Sequence, residues 1–434
     1  MSQAQAEREH SEAGVARRAL PPGLTDPEVA WPVVHVDAGG LSLRRPGRSA
    51  QRRLDEALRQ AVEIVHPGAV SGQTLLKVHI GEPKCRTRMR PHYVAVTAEF
   101  ARDHGASHVA AGDTTVAYTG ARGHKQNPRG RPRQYLELAR RHGWLPSGPA
   151  GVPFVVLDRP ASSRLAQFPF AEVEVRRRLK GVERFHDFYL AGGFDAADVV
   201  INHAHLTLHG LAGVAACVKS VAMGCSSLAG KLRMHQSLFP RFDPELCVLC
   251  GRCVESCPED ALSIPPGAEC PVVDKLKCIG CGECVSVCAV TRGAVVLEGE
   301  AIEDWKRGEA SLAERMADYT VGLMQGKWDS TIHVCHLYSV TPLCDCVDVA
   351  QKPMLSNDLG FLLGKNPFAV DRLAGELLAQ GLEQEPVEQQ SVEETALNSA
   401  AAMAAYARET YGIVPEAPVE RLAVTSPVQQ GRRS

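Results

Sequence analysis

Eight cysteines fall into two runs of the same spacing. Cys247-x2-Cys250-x2-Cys253-x3-Cys257-Pro258 is followed, after twenty intervening residues, by Cys278-x2-Cys281-x2-Cys284-x3-Cys288. Thiolates two residues apart wrap a tight loop around one [4Fe–4S] cubane. Structural zinc would call for four ligands per site in paired CxxC knuckles, and the triple spacing is not that pattern. Gly251, Gly280 and Gly282 remove side chains where the loops must turn closely past inorganic sulfur. Cys270 lies outside both runs and reads as a bystander. Ala289 stands where a second proline could follow Cys288, which leaves the ligand set intact.

This spacing resembles that of bacterial two-cluster ferredoxins, in which the fourth ligand of each cluster comes from the other run. The resemblance implies cluster I on Cys247, Cys250, Cys253 and Cys288, and cluster II on Cys278, Cys281, Cys284 and Cys257. The stretch Asp243 to Glu298 carries nine acidic and four basic residues. An acidic face suits docking to a basic redox partner. An ordinary solvated surface would have the same composition.

A second constellation lies outside the cysteine runs. His203-x-His205-x3-His209-Gly210-x2-Gly213 follows an apolar strand, with Lys219 and Lys231 beyond it. Asp113-Thr114 follows another strand, with Tyr118 and Arg122 close behind, and Lys84 follows a third. Gly210 and Gly213 read as the opening of a helix, Leu211 to Met223, whose free N–H groups would face the same region. An anion held by those groups, Arg122 and Lys84 would sit among histidines able to donate protons, with Asp113 and Tyr118 as helpers. The three histidines could also ligate a metal. Cys344-Asp345-Cys346 is a further thiol pair, with Cys335 and His336 upstream. It reads as a third metal site, as a redox or acid thiol, or as buried structural cysteines. Cys225 is a weaker candidate of the same kind, and Cys85 and Cys217 read as inert. The run Arg122 to Arg141 holds seven Lys/Arg and one Glu, fitting a solvated loop or attraction of an acidic substrate.

Short apolar strands alternating with helices must position these groups. Leu75 to Ile80, Ser107 to Ala111, Val152 to Leu157 and Val199 to Asn202 read as strands, and Gln51 to Val65, Tyr93 to Arg102 and Pro132 to His142 as helices. After the cysteine runs come a helix over Ala301 to Met324, a strand over Thr331 to Val340, and closing helices over Asp371 to Gln380 and Glu393 to Tyr411. The pattern predicts an α/β fold with a mostly parallel, Rossmann-like sheet, whose ligands sit beyond the carboxyl ends of the strands. The expected organisation is a disordered arm (1–30), the first part of the α/β domain (31–242), a two-cluster ferredoxin-like α+β insert (243–299), the second part of the α/β domain with closing helices (300–415), and a tail (416–434).

Net charge is −2 and aromatics make up 5%, which argues against nucleic acid as a partner. No apolar run is long enough for a membrane span, and the polar N-terminus carries no targeting pattern. Fifteen cysteines in such a chain point to metal or catalysis in a reducing cytoplasm. No G-x-G-x-x-G follows a strand, so a bound nicotinamide or flavin is not indicated.

Outside the insert the sequence resembles the "domain of unknown function 362" family of iron–sulfur proteins. The resemblance rests on Lys77-Val78-His79-Ile80-Gly81-Glu82, on Gly112-Asp113-Thr114-x3-Tyr118-x-Gly120-x-Arg122, and on the histidine stretch continuing through Lys219, Met223-Gly224-Cys225, Gly230-Lys231 and His235. It extends to Cys344-Asp345-Cys346, Asn357-Asp358-Leu359-Gly360 and Asn366-Pro367-x2-Val370-Asp371. Ser220 and Asn366 depart from it, standing where Asn and Asp are more usual. The resemblance implies an α/β domain with an inserted two-cluster module and brings no settled reaction. The functional expectation is a ferredoxin-dependent iron–sulfur reductase. A ferredoxin or flavodoxin-type donor would feed two [4Fe–4S] clusters, and a small anionic substrate would be reduced in the α/β domain. An electron carrier or cofactor-assembly protein docking a partner enzyme is the first alternative. A metal-assisted hydrolase with structural clusters is the second. The sequence leaves the oligomeric state open.

Overall fold

The computed structural model describes residues 20–424, apart from 117–119, 124–132, 211, 236–238, 258, 276, 279–282, 290–292, 299–310 and 387–393. Eight strands form the central sheet: β1 (Val33–Asp37), β2 (Gly72–Lys77), β3 (Ala106–Asp113), β4 (Phe154–Val156), β5 (Val199–His205), β6 (Thr331–Leu337), β7 (Gly360–Gly364) and β8 (Val419–Ala423). Their order is β8-β1-β7-β6-β5-β2-β3-β4. Every neighbouring pair is parallel except the two made by β7, which runs against β1 and β6. The expected α/β class with a mostly parallel sheet is what the chain adopts. β5 and β6 (VVINHAH and TIHVCHL) are buried along their whole length, as the central strands of a sheet covered on both faces must be.

Helices cover both faces. α1 (Arg48–Val65), α2 (Pro91–Asp103) and α3 (Arg133–Arg141) pack Leu54, Leu58, Tyr93, Phe100 and Leu138 against Leu76, Ile201 and Val334. The opposite face carries α4 (Cys217–Ala222) and α5 (Leu228–His235). The cysteine-rich insert adds α6 (Arg252–Glu255) and α7 (Glu283–Ala289). The second layer is completed by α8 (Ser311–Met324), α9 (Pro367–Leu382) and α10 (Glu394–Tyr411). Two antiparallel strand pairs frame the insert: Phe239–Phe242 closes its base with Val295–Glu298, and Leu262–Ser263 pairs with Val272–Val273.

Two boundaries differ from expectation. The segment read as a tail contains β8, an edge strand whose mostly exposed residues carry no apolar stripe and which pairs in parallel with β1. Of the arm, residues 1–19 lie outside the described residues, while Leu24 is fully buried in the core beside the sheet. Among the described residues no helix is long and apolar enough to cross a membrane.

Candidate functional site

The carboxyl ends of β2, β3, β5 and β6 open into one cavity of about 200 Å³. Its wall includes Lys77, Asp113, His205, Lys219, Lys231 and Cys344. Thr114, Arg122, His209, Gly210 and Cys346 border it as well. Most of the residues singled out in the sequence therefore meet in one place, beyond the strand ends of a parallel sheet.

One wall is a buried charge network. Lys77 Nζ lies 3.1 Å from Asp113 Oδ1. Arg122 reaches Asp113 Oδ2 at 3.3 Å and Glu82 at 3.1 Å, and the Tyr135 hydroxyl donates to Asp113 Oδ2 at 2.7 Å. Burial works against ionisation of Asp113, but Lys77 and Arg122 overcome it and hold the carboxyl well below the usual range. Asp113 is therefore a fixed anion with its lone pairs occupied. Lys231 is different. Its ammonium donates to Thr114 Oγ1 at 2.8 Å and to the Ser226 carbonyl at 2.6 Å, both uncharged. Burial pushes it down to about 8 against the pull of Asp158 and Asp113.

A second wall comes from the loop after β6. His205 Nδ1 faces Asp345 Oδ2 and Nε2 faces the Tyr338 carbonyl, each at 2.7 Å. Both ring nitrogens meet acceptors, so both carry protons, and His205 is an imidazolium paired with Asp345. Burial opposes that charge, but Asp345 raises the imidazole above its ordinary value. Cys85 donates its thiol to the other oxygen of Asp345 at 3.0 Å. Cys344 Sγ receives Lys219 Nζ at 3.4 Å and the Cys346 amide at 3.4 Å. The Cys346 side chain and Lys219 together favour the thiolate and lower the Cys344 thiol. The three histidines behave differently from one another. Burial lowers His209 well below its ordinary value, with Lys219 adding to the effect, so it stands on the cavity wall as a neutral imidazole.

Several expectations are corrected. His203 is not on the cavity. It shares a face of β5 with His205 but sits one rung lower, where Thr97 of α2 covers it, bonding Nε2 at 2.8 Å, while Nδ1 meets His336 at 2.9 Å. No helix starts at Gly210. Residues Thr207–His209 and Gly213–Ala215 form a hairpin. Gly213 has φ +64° and faces Ser399 of α10, where a side chain would clash, so it is a packing residue. The helix begins at Cys217, and its first N–H groups are taken by Asp371, which accepts from Cys217 N at 2.7 Å and Val218 N at 2.8 Å. That carboxylate takes the place the anion was expected to fill. Lys84 is exposed and paired with Asp348 at 3.6 Å, away from the cavity. Tyr118 lies outside the described residues. Cys225 is buried beneath the site, its thiol pushed up to about 12 by burial. Of the two departures, Ser220 bonds Asn202 at 2.7 Å and Asn366 caps α9 by accepting from Phe368 and Ala369.

Lys77, His79, Tyr135, His235 and Asp345 also belong to the site or its support and were not picked out individually, and Cys85, read as inert, donates its thiol to Asp345. Lys77 had a legible signal. A lysine in the apolar run Leu75-Leu76-Lys77-Val78 must find a buried anion if the strand is central. Cys85 gave none, since its partner is 260 residues away in sequence.

In the insert, Cys247, Cys250, Cys253 and Cys288 all line one small cavity. Three come from the first run and the fourth from the second, the set that crossed ligation requires. Leu249 (φ +51°) and Gly251 (φ +74°), on either side of Cys250, take left-handed backbone conformations. Burial pushes the Cys253 thiol up to about 11, with Cys250 and Cys288 contributing. By residue type, four thiols are the donors a cubane takes. For the second set, Cys284 is buried, Cys257 Sγ accepts from Ala261 N at 3.3 Å, and Cys281 lies outside the described residues with Gly280 and Gly282. Among the described residues, no three His, Cys, Asp or Glu side chains are placed to hold a metal ion. Where a third metal was one expectation, the partner of Cys344 is an ammonium. Val285, next to Cys284, reaches the wall of the large cavity.

No curated protein matches the chain. Solved structures to which it is similar include the lactate racemase apoprotein from Thermoanaerobacterium thermosaccharolyticum, at 10% identity and a TM-score of 0.36, covering 83% of this chain and 59% of that one. Another is a structural-genomics protein from Thermotoga maritima, at 13% identity and a TM-score of 0.34, covering 80% and 61%. The chain thus spans about three fifths of the length of these neighbours. The family described as "Domain of unknown function (DUF362)" matches residues 74–376, a stretch that takes in the large cavity and the cysteine insert. The chain belongs to the DUF362 family.

Proposed function

We propose that the protein is an iron–sulfur reductase of a reducing cytoplasm, in which two [4Fe–4S] clusters on the insert serve a small anionic substrate bound in the cavity. The observation that carries this reading is shared wall. Val285 of the second cysteine run lines the same cavity as Lys219, Lys231, His205 and Cys344. When bound, the clusters supply single electrons at low potential. A ferredoxin or flavodoxin-type protein is the donor, docking on the acidic insert.

The chain's own residues supply the rest. Among the described cations of the cavity wall, Lys231 makes its hydrogen bonds to uncharged acceptors, and it attracts the anion. Lys77, Asp113, Arg122 and Glu82 neutralise one another and hold the wall rigid. His205 holds protons on both nitrogens, each already donated to the loop after β6, so it fixes that loop. His209, kept neutral at the cavity wall, offers the substrate a hydrogen-bonding imidazole rather than an acid.

The test uses full-length, cluster-loaded protein, reduced anaerobically and mixed with metabolite pools fractionated by size and charge. Reoxidation by a small anionic fraction in wild type, and its loss in Lys231→Met, supports the reading. Reoxidation by protein fractions alone would make this chain an electron carrier.

A further inference from the structure

All three residues of the Cys344-Asp345-Cys346 turn line the cavity, and the carboxylate between the two thiols is already engaged. Asp345 is held by His205 at 2.7 Å and by Cys85 at 3.0 Å. With Asp345 held there, the residues on either side both line the cavity. Cys344 is buried, and Cys346 is partly open. Lys219 Nζ lies 3.4 Å from Cys344 Sγ, and the Cys346 amide donates to the same sulfur at 3.4 Å. Cys217 and Cys335, also buried, do not line the cavity. An activated thiol needs a cation beside it, access to a ligand and a second thiol within reach. In this cavity only the Cys344–Cys346 turn, among the described residues, brings two cysteines to the wall.

We propose that Cys344 and Cys346 are a redox-active dithiol that reduces a small anionic disulfide in the cavity by thiol–disulfide exchange. The Cys344 sulfur attacks one sulfur of the substrate. The substrate S–S bond breaks, a mixed disulfide forms on Cys344, and the first half leaves as a thiolate beside Lys231. The Cys346 sulfur then attacks the Cys344 sulfur, and its proton passes to the second half, which leaves as a thiol. The substrate gains two electrons, and the protein is left with a Cys344–Cys346 disulfide. Restoring the thiolate–thiol pair takes two electrons and one proton, the electrons arriving singly through the insert. Only this restoration rests on the reductase reading.

The experiment uses full-length, cluster-loaded protein under anaerobic conditions, with glutathione disulfide as the probe and no electron donor. Peptide mass spectrometry is expected to find the Cys344–Cys346 disulfide in wild type, with both halves of the probe released as thiol. Cys346→Ser should trap a glutathione adduct on Cys344, and Cys344→Ser should leave Cys346 unmodified. Lys219→Met should slow adduct formation by at least about tenfold, and Lys219→Arg should retain most of the rate. No adduct in a Cys346→Ser protein with wild-type cluster absorbance and thermal midpoint overturns the proposal, as does an adduct confined to other cysteines. Exchange that proceeds normally while reduced clusters fail to reopen the disulfide would strike the reductase reading and leave the dithiol standing.

Discussion

Replacing Lys231 by methionine should make the protein more stable at neutral pH and poorer at binding anions. The ammonium is buried, and burial brings it from its ordinary 10.5 down to about 8. At roughly 1.36 kcal/mol per pKa unit, keeping it charged in the fold costs about 3 kcal/mol. Methionine keeps the length and apolar stem but loses the bonds to Thr114 Oγ1 and Ser226 O, together about 1–2 kcal/mol. The net gain at pH 7 is therefore about 1–2 kcal/mol. The sign depends on pH. Below about pH 8 the lysine is protonated in both folded and unfolded chains, and the full penalty is present. Between 8 and 10.5 the unfolded chain binds more protons, so wild-type stability rises with pH. Above 10.5 the penalty is gone and only the lost hydrogen bonds remain, so the variant becomes the less stable protein. Thermal midpoints of full-length wild type and variant across pH 6 to 11 would show the curves crossing. A variant less stable by the same margin at every pH would refute the reasoning, because it would mean that Lys231 is already satisfied in the fold and is not poised for an incoming anion. In the same series, binding of small anions to wild type should weaken by up to roughly tenfold per pH unit above 8.

Asp371→Ala should cost about 2–5 kcal/mol in chemical denaturation, since it leaves the buried N–H groups of Cys217 and Val218 without an acceptor. Burial pushes the Asp371 carboxyl up to about 7 from 3.8, so this group withdraws stability as pH climbs between those values. Asp371→Asn should flatten that slope. His203→Ala should lower stability by about 1–3 kcal/mol through the loss of the Thr97 and His336 contacts while leaving anion binding intact. His205→Ala should loosen the Cys344-Asp345-Cys346 turn and impair any cavity activity. Equal effects on binding from both histidines would contradict the placement of His203 behind α2.

The sequence marked most of the cavity because the chemistry there is concentrated at strand ends, and strands such as Val199–His205 announce themselves as apolar runs. It misled where local and tertiary signals diverge. Leu211 to Met223 has helical periodicity, yet Gly213 sits at φ +64° in a hairpin turn and the helix waits for the Asp371 cap, which lies more than 150 residues away. β1, β7 and β8 escaped, and β8 is an exposed edge strand without an apolar stripe. Three histidines within seven residues looked equivalent in sequence. Only the height of α2 over the sheet separates His203, which it covers, from His205, which it does not. The pairing of Cys344 with Lys219, likewise, depends on α4 and the loop after β6, which the sheet order brings together.

The proposed function requires two cubanes in the insert, the first of them on Cys247, Cys250, Cys253 and Cys288. The direct measurement is iron and acid-labile sulfide in anaerobically purified wild type and in Cys288→Ala. Two clusters predict about eight irons and eight sulfides per chain, falling to about four of each in the variant with the loss of one cluster's signal on reduction. Four or fewer irons in wild type, or an unchanged count in Cys288→Ala, would contradict it.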